Sequence, residues 1–468
     1  MRSRFGWCRV LVSAAMVTAG VVAASGGVAS AASTSKKASS SKASSSSKAA
    51  SSTSGVWPGV GKICGSGPGG ATPTTRGVTN NSIHIAVFND AANTIQPGLE
   101  IEFTQFATAF AHWCDAAGGI NGRKIVVDNR DAALFNAAQV TSEACQSDFM
   151  AVGGGMALDA PSVPVREACG LGQISAYVVS NQSVDSALQV NPSGTNNNVI
   201  SAGWFGALAK EYPKAVEKAG MGAENSPSIT ESYEKYRIAA EAQGWKVISY
   251  QIPPLSVTDW TPYIQQIQTK GVEALWPPDT DNITPYVQAM DTSGYKPAFM
   301  VLGSQFYVSS TTKAAKATPF PTTFVEDQYW PLELASKNPS TALLLSIMRK
   351  YSPGDAVDFN DEIAANAWLL WAKSATACGT HLTVSCVLSH AATEKNWDSG
   401  GMSAPVKQLA MSNDNPQPSP CFVLLKVEPG KFVYDKTATR PTQSIWNCSP
   451  SGLIHFTPSD QKQIIAAS

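Results

Sequence analysis

The sequence predicts an α/β fold in two lobes, each a mostly parallel sheet flanked by helices. Three observations predict it. From Ile83 onward, short apolar strands alternate with amphipathic helices, the pattern of parallel strands joined by crossover helices. Further on the unit recurs with Gly244, Gly271 or Gly294 between a helix and the next strand, where a helix C-terminus favours a left-handed residue. The chain has 468 residues, and roughly 400 remain beyond its leader, more than one hydrophobic core ordinarily holds.

Residues 1–31 read as a cleavable signal peptide. Arg2 and Arg4 place positive charge before the apolar run from Val10 to Val22, and Val28, Ala29, Ser30 and Ala31 supply a small-residue cleavage site. Gly20, Ser25, Gly26 and Gly27 break the run before it reaches the ~20 apolar residues of a membrane span. Residues 32–76, rich in Ser and Lys and then in Gly and Pro, read as a flexible linker, because they lack the large apolar side chains that offset the entropy of ordering.

The first lobe follows. A strand at 83–88 leads into a helix with Phe103, Phe106, Phe110 and Trp113 at helical spacing, ended by Gly118 and Gly119. Strands at 124–127, 149–152 and 173–179 then alternate with helices at 137–145 and 162–169. The polar stretch 191–198 reads as a crossing between lobes. Beyond it, strands at 245–252, 272–276 and 299–302 alternate with helices. Residues 318–323 read as a second crossing, and the apolar helix 361–377 as packing back on a lobe.

Composition narrows the function. The chain is 43% hydrophobic and 15% charged, with a net charge of −1, which gives no electrostatic support for nucleic-acid binding. Without Cys8 in the leader, eight cysteines remain, an even set suited to disulfides in an exported protein. Eight cysteines allow 105 pairings. The expected ones are Cys378–Cys386 across a short loop, Cys421–Cys448 across the C-terminal strands, and then Cys145–Cys169 and Cys64–Cys114. With no CxxC pair and five scattered histidines, neither a zinc site nor any other cofactor is expected.

Catalytic motifs are missing. No serine carries the Gly-x-Ser-x-Gly flanks of a nucleophile elbow. The one Gly-x-Gly-x-x-Gly match, at Gly65, Gly67 and Gly70, precedes the first strand instead of following one. Asp128 with Asp131, and Asp279 with Asp281, read as helix or turn caps, or else as an acid–base pair. An exported two-lobed α/β chain of this kind is expected to bind rather than catalyse, with its ligand beyond the C-terminal strand ends.

Several segments resemble the branched-chain amino-acid-type solute-binding proteins of ABC importers. They are Gly-Val-Thr-Asn-Asn-Ser-Ile-His-Ile-Ala at 77–86, the turn Gly-Gly-Ile-Asn-Gly-Arg at 118–123, Ala-Val-Gly-Gly-Gly-Met at 151–156, and the stretches 239–247, 259–267 and 271–275. The resemblance implies a type I periplasmic binding fold, a Venus flytrap with three crossings. Lobe 1 would be 77–195 plus 323–402, and lobe 2 would be 196–322 plus 403–468.

It also implies capture of a small amino-acid-like, carboxylate or amide compound by an exported monomer that partners an ABC permease. A ligand-sensing adaptor of the same fold and an exported hydrolase are the alternatives. The implied ligand positions are Gly155, Met156 and Ala157 after the third strand, Val179 and Ser180 after the fourth, Ile229 and Thr230 at a helix N-terminus, Asp279 and Thr280, Gln305, and Tyr329. Loop amides and a helix N-terminus suit an anionic group. The chain departs from the pattern at Met156, in place of a serine, and at Gly303, Ser304 and Gln305, where amino-acid binders keep an acidic residue. No cysteine lies at the cleavage site, so a lipid-anchoring lipobox is not expected.

Overall fold

The computed structural model describes residues 54–67, 75–278, 282–412 and 416–467. The expected linker contains an ordered element. Strands β1 (Val56–Trp57) and β2 (Gly61–Lys62) pair antiparallel, and Trp57 and Ile63 are fully buried. The ring of Trp57 meets Trp113 edge-on at 5.6 Å, and Cys64 is bonded to Cys114. Two buried apolar side chains and a covalent tie are enough to fix so short a segment, so residues 54–67 belong to the fold and not to a linker.

The first sheet is built from β3 (Ser82–Asn89), β4 (Lys124–Asp131), β5 (Met150–Val152) and β6 (Gly172–Ile174), all parallel in the order β4-β3-β5-β6. Helices α1 (Ile101–Ala116), α2 (Ala137–Ser147) and α3 (Ser162–Cys169) connect them. The spacing of Phe103, Phe106, Phe110 and Trp113 gives α1 one buried face, and burying each such ring contributes roughly 1.5–3 kcal/mol. The turn after α1 requires glycine. Gly119 has φ 74°, and a Cβ there would lie 2.1 Å from the carbonyl oxygen of Arg123. The strand expected over 173–179 stops at Ile174, although Ala176 still donates to the carbonyl of Gly154 beyond the end of β5.

After α4 (Asn181–Val184) the chain leaves this sheet. Strand β7 (Val199–Ser201) and α5 (Gly203–Glu211) lead into the second sheet. There β8 (Ala219–Gly222), β9 (Val247–Gln251), β10 (Ala274–Leu275), β11 (Phe299–Leu302) and β12 (Thr323–Asp327) run parallel, with α6 (Pro227–Ala242), α7 (Thr261–Thr269), α8 (Ile283–Thr292) and α9 (Ser309–Ala317) between them.

Two expected boundaries are corrected here. Residues 318–323 join α9 to β12 within the second sheet, so they are not a crossing, and β12 belongs to that sheet instead of starting the second part of lobe 1. Backbone pairing decides this, since Met300, Val301 and Leu302 bond in register with Thr323, Phe324 and Val325.

Helices α10 (Pro339–Tyr351), α11 (Phe359–Ala377) and α12 (Val384–Ala392) return to the first core. Helix α11 is apolar nearly all round and correspondingly buried, with Trp368 5.3 Å from Phe110. Strands β13 (Lys395–Trp397) and β14 (Val406–Gln408) form a hairpin whose Met402, Val406 and Leu409 pack in the same core. Residues 403–409 therefore lie with the first sheet, contrary to the expected limit at 402.

Strand β15 (Val423–Glu428) pairs antiparallel with β12, and β16 (Lys431–Tyr434) pairs antiparallel with β15, giving the order β9-β8-β10-β11-β12-β15-β16. After α13 (Lys436–Thr439), β17 (Leu453–His455) pairs with β7, and α14 (Pro458–Ala466) follows. The four disulfides are Cys64–Cys114, Cys145–Cys169, Cys378–Cys386 and Cys421–Cys448, the pairings expected. No helix among the described residues is long and apolar enough to cross a membrane.

Candidate functional site

A cavity of about 460 Å³ opens between the C-terminal strand ends of the two sheets. From the first sheet come Glu100 at the end of the loop after β3, Glu102 in the first turn of α1, Ala157 after β5, Tyr177 to Val179 after β6, and the N-terminus of α11. From the second come Ile229, Ser232, Tyr233 and Tyr236 on α6, Trp276 after β10, the loop of Gly303 to Phe306 after β11, and Glu326 on β12. Parallel sheets put their loops at one end, so two sheets facing each other place all of these around one space.

Of the positions expected from sequence, Ala157, Val179, Ile229 and Gln305 line the cavity. Gly155, Met156, Ser180, Thr230 and Tyr329 are not among its lining residues. Gly155 lies beneath the Tyr177 ring, and Met156 packs in the small core under β5. Ser180 is the N-cap of α4 and accepts from the Ser183 amide at 3.1 Å. The Thr230 hydroxyl donates to the Ser226 carbonyl within α6 at 2.9 Å. Tyr329 is buried behind the site, its hydroxyl accepting from Asn366 Nδ2 at 2.9 Å. Asp279 and Thr280 lie outside the described residues.

The loop amides expected to grip an anion are engaged within the protein. Asp90 takes the Ala157 N–H at 2.8 Å and the Leu134 N–H at 2.6 Å. Asp159 takes the N–H groups of Val179 and Ser180 at 2.9 and 3.1 Å. Both carboxylates are buried, and desolvation raises their pKa values while the amide bonds lower them.

Carboxyl groups also line the space directly. The carboxyl of Glu326 is held up to about 7 by burial, against one hydrogen bond from the Ser304 amide. Asp358, the N-cap of α11, is held up to about 8 by burial and by the nearby charge of Glu102. Glu102 is itself raised by burial, although Asn360 Nδ2 donates to it at 3.3 Å. The Tyr177 hydroxyl donates to Glu100. No Lys, Arg or His is among the described residues lining the cavity.

One wall is aromatic. Tyr236 stacks on Trp276 with centroids 5.4 Å apart, Tyr233 meets Trp276 edge-on at 6.0 Å, and Gln305 Nε2 donates to the Tyr233 hydroxyl at 3.1 Å. Trp276, expected to belong either to the core or to the cleft, belongs to both, since it also stacks on buried Trp204 at 4.6 Å.

Sequence reasoning missed Glu100, Glu102, Tyr177, Tyr233, Tyr236, Glu326 and Asp358. One signal was available: Ile229, Ser232, Tyr233 and Tyr236 share a face at helical spacing, so a cleft-facing Ile229 carries the two tyrosines with it. Nothing local distinguishes the acidic positions from ordinary caps and surface charges.

The periplasmic binding protein family model matches residues 98–431, more than half of the chain. No curated protein matches it in sequence. Among solved structures, the fatty acid ABC transporter substrate-binding protein from Thermomonospora curvata is 13% identical with a TM-score of 0.64, covering 83% of this chain and 97% of its own. A solute-binding protein from R. palustris in complex with 4-hydroxybenzoate is 15% identical, TM-score 0.61, covering 76% and 96%. The branched-chain amino acid transporter substrate-binding protein from Streptococcus pneumoniae, with isoleucine, is 16% identical, TM-score 0.58, covering 76% and 99%. At such identities the likeness is one of fold, and the fold is the two-lobed type I periplasmic one.

Proposed function

The chain belongs to the periplasmic binding protein family, and from that membership we propose that it captures a small organic solute in the cleft between its two sheets and presents it to an ABC permease. The observation that carries this reading is the cavity of about 460 Å³ enclosed by loops from both sheets. Such a placement lets a ligand favour the closed arrangement, because it touches both halves at once only when they are together. The family and the structural neighbours are solute-binding proteins and not enzymes. We read the chain as exported through the leader at residues 1–31 and as working as a monomer beside its permease. Two lobes with boundaries near residues 191–198, 328–330 and 409–422 fit the sheet membership.

Thermal-shift screening against a metabolite panel tests the reading. A ligand at 100 times its Kd stabilises the folded chain by about 2.7 kcal/mol. Silence across amines, amides, carboxylates and sugars would sink it.

A further inference from the structure

We propose that the cavity selects a small organic cation, an amine or quaternary ammonium with an apolar body, over a carboxylate. This deepens the solute-binding reading and rests on it. The first support is the state of the loop amides. A ligand carboxylate entering between the sheets finds the N–H groups of Ala157 and Val179 bonded to Asp90 and Asp159, so the expected anion grip is already closed. The second is the lining itself. With no Lys, Arg or His among the described lining residues, a buried anion would meet no side chain of opposite charge there, and burying a charge without one is unfavourable.

A cation meets the opposite environment. Glu102 and Asp358 face the space from the first sheet's side and Glu326 from the second's, so each half offers positive charge an acidic group. Tyr233 and Tyr236 bring aromatic rings to the same space, and an aromatic face attracts a cation lying over it. The apolar body of the ligand has Trp276, Phe306 and Phe359 to rest against.

Burial holds Glu326 up to about 7 and Asp358 up to about 8. The charged groups acting on this pair and its neighbours are all acidic: Glu102, Asp355, Asp327, Glu333, Asp361 and Glu362. The hydroxyls of Tyr177, Tyr307 and Tyr329 complete the surroundings. Binding a cation favours the ionised carboxyls, so protons leave on binding and affinity rises with pH.

The test is calorimetric titration of the full exported chain with isosteric sets: 3-phenylpropylamine, 3-phenylpropanamide and 3-phenylpropanoate, and an alkyl set of the same three head groups. The expected result is binding of the amine at least about tenfold tighter than of its amide or carboxylate, weaker at pH 6 than at pH 8. Glu326→Gln and Asp358→Asn are each expected to weaken the amine by about tenfold without lowering the Tm of the free protein. If either variant fails to fold, the ranking of the isosteres on the unaltered chain decides. Equal binding of amine and amide, or tighter binding of the carboxylate, overturns the cation assignment and leaves the solute-binding reading standing. Silence of all three head groups, together with silence across the metabolite panel, fails that reading instead.

Discussion

At the scale of single residues, the site is a set of carboxyl groups placed where water is scarce. Asp327, Asp361 and Glu362 lie fully buried behind the lining residues, and all three have pKa values raised well above the usual range, first by burial and then by a neighbouring carboxylate, Glu326 for Asp327, Asp358 for Asp361 and Asp327 for Glu362. Glu326 and Asp358 share the direction, at about 7 and about 8. A carboxyl with a raised folded pKa binds its proton more tightly in the folded chain than in the unfolded one. Its stabilising contribution is therefore complete below the unfolded value, near pH 4, and is lost as pH rises through the folded value. Urea unfolding is expected to show lower stability at pH 9 than at pH 6, and Glu326→Gln to shrink the difference. Flat stability across that range would contradict the burial assigned to these groups.

At the scale of elements, local patterns carried far. The spacing of Phe103, Phe106, Phe110 and Trp113 identified α1, and Gly118 and Gly119 its end, because a helix face and a left-handed turn are set by neighbours in the chain. The hairpin of β1 and β2 escaped notice because its strands are only two residues each, too short for any periodicity. Its place depends on Trp57 reaching Trp113 and on the Cys64–Cys114 bond. Replacing Cys64 and Cys114 together by serine is expected to cost about 2–4 kcal/mol of stability and to expose the hairpin to proteolysis, read by denaturant melts and limited digestion. Because the hairpin packs behind α1, away from the cavity, solute affinity should hold.

At the scale of the whole molecule, the two sheets meet through specific polar contacts as well as through the ligand cavity. Glu231 on α6 accepts from the Asn181 amide at the start of α4 at 3.0 Å. Beside it, Lys235 donates to Asn197 Oδ1 at 2.7 Å, and Asn197 Nδ2 donates to the Asn181 carbonyl at 3.0 Å. Burial pushes the Lys235 ammonium down to about 8, so this contact weakens in alkaline solution. A hydrogen bond to a charged group is worth about 1.5–3 kcal/mol. Glu231→Ala should therefore shift the solute-free chain toward a more open arrangement. Small-angle scattering would read this as a larger radius of gyration, and titration as a weaker apparent Kd, since fewer molecules are binding-competent. Unchanged scattering and unchanged affinity would show that the contact holds nothing together.

The sequence by itself determined the α/β alternation, the helix ends at Gly119, Gly244 and Gly271, the even number of cysteines beyond the leader and the want of a catalytic motif. Each of these depends on residues near one another in the chain or on composition. The resemblance carried by segments such as 118–123 pointed to the family. Only the tertiary structure decided that β12 joins the second sheet, that residues 54–67 and 403–409 lie with the first, and that the amides of Ala157 and Val179 are held by Asp90 and Asp159. Strand neighbours and hydrogen-bond partners separated by tens or hundreds of residues follow from how the whole chain buries its apolar faces, and no local period encodes them. The cavity's character belongs to that second class: Glu102, Glu326 and Asp358 sit far apart in sequence and share one space only because two sheets point their strand ends at each other.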